Sequence, residues 1–86
     1  MKQIERVQTG VRIEKRLLKV LKGLAEHLDI SVAELLESIA LHSFEGRPPF
    51  STATMEKIRQ LKVVYDLDLS AEDSHRLSEA DGGTGA

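Results

Sequence analysis

Only one stretch of this chain alternates with period two, and everything after it that carries a period carries the helical one. Val7, Thr9, Val11 and Ile13 share one parity, while Arg6, Gln8, Gly10 and Arg12 share the other. That pattern, within Ile4 to Ile13, predicts a strand with one buried face. A lone strand leaves its backbone N–H and C=O groups unpaired, and nothing later in the chain reads as a partner. The economical solution is the same strand of a second copy, antiparallel about a two-fold axis. The constraint therefore reaches past the single chain: the strand reading predicts a homodimer.

From Glu14 the spacing changes to threes and fours. Leu17, Leu18, Leu21, Leu24, Ala25 and Leu28 predict an amphipathic helix from Glu14 to Leu28, with Lys15, Lys19, Lys22 and Glu26 on its polar face. Asp29-Ile30 interrupts it. Ser31-Val32-Ala33-Glu34 has the form of a capping box, opening a second helix with Leu35, Leu36, Ile39, Ala40 and Phe44. Gly46 and Pro48-Pro49 stop it. Ser51 or Thr52 caps a third helix bearing Met55, Ile58, Leu61, Val64 and Tyr65, ending near Asp66. Ser70-Ala71-Glu72-Asp73 reads as a further helix start leading to Leu77. Residues 81–86, Asp-Gly-Gly-Thr-Gly-Ala, are expected to be disordered.

Size and composition narrow the function. With 86 residues, two Phe, one Tyr, no Trp and no Cys, the chain has a small aliphatic core and no disulfide or cysteine-ligated zinc. Its isolated histidines lack the spacing of a metal site. Ser43, His42 and Asp66 are triad residue types, but nothing places them together, and there is no Gly-rich phosphate loop. The chain is therefore expected to be neither an enzyme nor a cofactor protein. No apolar run is long enough for a membrane span and no signal-peptide block is present, so a cytoplasmic location is expected.

The net charge of −2 conceals a division: residues 1–22 hold seven basic and two acidic residues, and residues 23–86 hold five and twelve. A basic end on an acidic body can steer a polyanion to one face.

Strand, helix, turn and helix in this order, carried by Val7-Gln8-Thr9-Gly10-Val11-Arg12-Ile13, the helix to Leu28 and the helix opening at Ser31-Val32, resemble the ribbon-helix-helix DNA-binding proteins of the Arc and methionine repressor superfamily. The resemblance covers roughly Arg6 to Phe44. It implies a mainly α fold with one N-terminal strand, in which two chains form an intermolecular antiparallel ribbon that enters the DNA major groove. One or two C-terminal helices would be added to it.

Domain organisation follows as residues 1–45 for dimerisation and DNA binding, 46–80 as a helical extension, and 81–86 as a tail. Outward positions of the ribbon would be Gln8, Gly10 and Arg12; Gln can pair with adenine and Arg with guanine. The resemblance also implies a phosphate held by the amides of Ser31, Val32 and Ala33, where the helix dipole favours an anion. Arg6, Lys15 and Arg16 are further phosphate candidates. For Arg12 the alternative role is a soluble charge that discourages edge pairing, and for Lys15, Arg16 and Lys19 simple solvation of a helix.

The expected function is sequence-specific DNA binding as a small dimeric transcriptional regulator. Two alternatives stand beside it. One is an antitoxin that holds a toxin through the C-terminal extension, with Met55, Ile58, Leu61 and Tyr65 as the docking face. The other is a dimeric interaction module without DNA binding.

Overall fold

The computed structural model describes residues 2–78, and within them the chain forms three α-helices and one 3-10 turn. Helix α1 spans Lys15–Leu28, α2 Val32–Phe44 and α3 Thr52–Val64, with the 3-10 turn at Ala71–Asp73. Each α-helix begins on a side-chain cap that accepts from an orphan amide of the first turn. Glu14 Oε1 accepts from Leu17 N at 2.8 Å, and Ser51 Oγ accepts from Thr54 N at 3.2 Å. Ser31 and Glu34 form the reciprocal capping box, both bonds at 3.1 Å.

The three helices also end alike. Asp29, Gly46 and Asp66 all stand in the left-handed region, with φ of 59°, 67° and 54°. In each case the next residue's amide reaches back five positions: Ile30 to the Ala25 carbonyl at 3.0 Å, Arg47 to His42 at 2.9 Å, Leu67 to Lys62 at 2.8 Å. This is the Schellman closure, which satisfies the last carbonyls and turns the chain sharply. Glycine takes this conformation without steric penalty, and aspartate is among the residues that tolerate it.

Helix α1 lies at the centre, packed against both α2 and α3. Leu24, Ala25 and Leu35 form the buried centre, with Leu21, Leu28, Ile30, Val32, Ile39, Phe50, Ile58 and Leu61 around them. Gly23 brings α3 close: a Cβ there would stand 3.0 Å from a Leu61 methyl. The core is small; Val20 and Leu67 complete the buried apolar set among the described residues.

Two expectations need correction. The ribbon-helix-helix fold is not what the chain adopts: no residue among those described is in a strand, and the segment from Ile4 to Ile13 is irregular. Alternation alone does not make a strand without a ladder, and no other segment of the chain supplies one. The fold is helical. The helix expected to start at Ser70, include Leu77 and end by Ala80 is, among the described residues, a single 3-10 turn, its start stabilised by Ser70 N donating to Asp73 Oδ2 at 2.8 Å. Helix α3 ends at Val64, near Asp66 as expected, with Asp66 in the left-handed region of the Schellman closure. The tail expected to be disordered, residues 81–86, lies outside the described residues.

Candidate nucleic-acid interface

The N-terminal arm, residues 2–12, is exposed at every position, including Gln8, Gly10 and Arg12. It is not detached. Arg6 donates from Nε and Nη2 to the two carboxylate oxygens of Glu37 on α2, both at 2.9 Å. A bidentate fork of this kind fixes direction as well as distance. The hydrogen bond from Arg6, reinforced by its charge, holds the Glu37 carboxyl below the usual carboxylate range. Arg6, a phosphate candidate, is thus the clip that lays the arm along α2.

On α1, Lys15, Lys19 and Lys22 recur at spacings of four and three, so they share the face turned away from the core, and all three are exposed. Lys19 Nζ stands 5.9 Å from the centroid of the Tyr65 ring. Arg16 has a different role. Its Nη1 donates to the Asp66 carbonyl at 2.9 Å and meets Asp68 Oδ1 at 3.0 Å, while its Nε donates to Glu14 Oε2 at 3.3 Å. It ties the start of α1 to the chain leaving α3, so the guanidinium expected to meet phosphate is engaged within the fold. The Leu17 amide, with help from Arg16, holds the Glu14 carboxyl below its ordinary range.

At the start of α2, the Ser31 amide faces the Glu34 carboxylate, and Val32 packs on the core. Of the three amides expected to hold a phosphate, those of Ser31, Val32 and Ala33, the first is thus taken by the Glu34 carboxylate here. Of the expected partner-binding face, Ile58 and Leu61 pack on α1, Tyr65 is half-buried beside Gly23, and Met55 is exposed. Amphipathic periodicity could not say which neighbour would receive that face.

A feature that sequence reading missed is an apolar cavity of about 410 Å³ between α1, α3 and the chain beyond Asp66, lined by Leu17, Leu21, Ile58, Leu67, Leu69 and Leu77. It arises because the chain after α3 folds back over α1, and no local pattern signals that. Among the described residues no group of three His, Cys, Asp or Glu side chains could hold a metal ion. No helix among them is long and apolar enough to cross a membrane. No family model, curated protein or solved structure matches the chain.

Proposed function

We propose that the chain is a small dimeric transcriptional regulator that binds DNA through its basic arm and the lysine face of α1. The observation that carries this reading is the exposure of the segregated cations: Lys2, Arg12, Lys15, Lys19 and Lys22 are all on the surface, within the first 22 residues. Cations so placed neutralise phosphates and release counterions, which gives affinity that falls steeply with salt. An extended arm with arginines can enter a groove, where Gln8 and Arg12 would contact base edges. The acidic remainder of the chain orients that face towards a polyanion.

The test is a fluorescence-anisotropy titration against the DNA upstream of its own gene and a scrambled duplex, at two salt concentrations. Preferential, salt-dependent binding is expected. The K15A/K19A/K22A variant should flatten the salt slope by ~0.9 for each phosphate that it no longer neutralises, while R12A should reduce the preference for the cognate duplex. Binding that is indifferent to salt and to these substitutions overturns the reading.

The antitoxin alternative has one observation in its favour, the apolar cavity walled by Leu67, Leu69 and Leu77 in the C-terminal half. It requires that the product of an adjacent gene co-purify with the chain and be lost in an L69E/L77E variant.

A further inference from the structure

Helix α2 is apolar on two opposite sides, and this chain covers only one of them. Val32, Leu35 and Ile39 face α1, and Leu35 is 1% exposed. Half a turn round the helix, Leu36, Ala40, Leu41 and Phe44 form a second apolar face, with Glu37 among them. A helix whose apolar residues reach well beyond one face needs cover on more than one side, and the second face of this one has none within the described residues. The arm meets this side of α2 at one point. The Arg6–Glu37 fork pins the arm on this side of α2, and its apolar residues Ile4, Val7 and Val11 find no core in their own chain.

We infer that this composite surface, the outer face of α2 with the apolar side chains of the arm, is where a second copy of the chain docks. The inference rests on the dimeric reading above and assigns it an interface. Two observations favour a second copy over an unrelated partner. The first is area. Ile4, Val7, Val11, Leu41 and Phe44 are each 63–83% exposed and Leu36 is 37% exposed. At these exposures the six side chains together offer on the order of several hundred Å², a substantial part of the ~800 Å² per partner of a standard interface. The second is charge. On the outer face of α2 the carboxylate among the apolar residues, Glu37, is already neutralised by Arg6, so two copies of that face meet without like-charge repulsion. A small core completed by burying this surface also fits the chain's length.

Sedimentation equilibrium on the full chain tests it. The wild type is expected to be a dimer and the L41E/F44E variant a monomer with unchanged helical circular dichroism, because both positions lie outside the core. A variant that remains dimeric overturns this interface while leaving the dimeric reading intact; a wild type that stays monomeric at all concentrations overturns both. Because the chain has no cysteine, single-cysteine variants give a second measurement that needs no disruptive charge. A40C is expected to form covalent dimers with a short bis-maleimide, and Q60C, exposed on α3, is not. The opposite pattern places the interface elsewhere.

Discussion

Helices α1 and α2 are nearly equal in length and similarly capped, yet they use their apolar residues differently. In α1 the apolar residues gather on one side, where Val20, Leu24 and Ala25 are buried, and lysines occupy the other. In α2 they spread over two faces, with Glu34, Ser38 and His42 on the remaining side, and Leu35 alone is buried. The first pattern is complete within one chain. The second is not, which teaches that burial demand is set by where apolar groups lie around a helix and not by how many it has.

The comparison would break most visibly at Leu35. As the single fully sequestered side chain of α2, its replacement in L35A should destabilise the fold by about 2–5 kcal/mol, as leucine truncation in cores does. L24A in α1 should fall in the same range; urea denaturation of both decides whether α2 is anchored through one residue. A larger side chain at the α1–α3 contact comes next. G23L would drive into Leu61, and a destabilisation of about 1–3 kcal/mol is expected by the same measurement. S31A removes half of the α2 capping box and should cost about 1 kcal/mol.

F44A sharpens the contrast from the other side. On the outer face of α2 it should change the stability of the isolated chain by less than about 0.5 kcal/mol. It should, however, reduce the rise of the melting temperature with protein concentration, since that rise reports association. The smallest effect belongs to the α1 cap. The Glu14 carboxyl is held below its ordinary range by the Leu17 amide in the folded chain. Its contribution is therefore present above the unfolded value of ~4.3 and disappears as the pH falls through the lower folded value. Melting temperatures measured down through the acid range should show a shallower decline in E14Q than in the wild type.

What could be read from the sequence was local. The capping box at Ser31 and Glu34, a cap at Ser51 or Thr52, the Gly46 stop and the 3.6-residue spacing of Leu17, Leu21, Leu24 and Leu28 are each settled within one or two turns of chain. They reappear in the structure within a residue or two. The arm failed as a strand because strand formation depends on a partner, and alternation in one segment contains no information about one. For the same reason the roles of Arg6 and Arg16 were invisible. Their carboxylate partners Glu37 and Asp68 lie 31 and 52 positions away, and only the packing of α1 against its neighbours brings them together. Of the residues expected to meet DNA, Gln8, Arg12 and Lys15 are exposed, but on the arm so are Val7 and Val11, so exposure there does not follow the two faces of the expected strand.

The contact of Tyr65 with α1 has an optical consequence. It is the sole tyrosine in a chain without tryptophan, and it stands at the seam where α3 leaves α1, against Gly23 and beneath Lys19. Ultraviolet emission of the unlabelled protein therefore comes from one place in the fold. Its intensity and its quenching by iodide report whether α3 is seated on α1, separately from the helix content that circular dichroism averages over the whole chain.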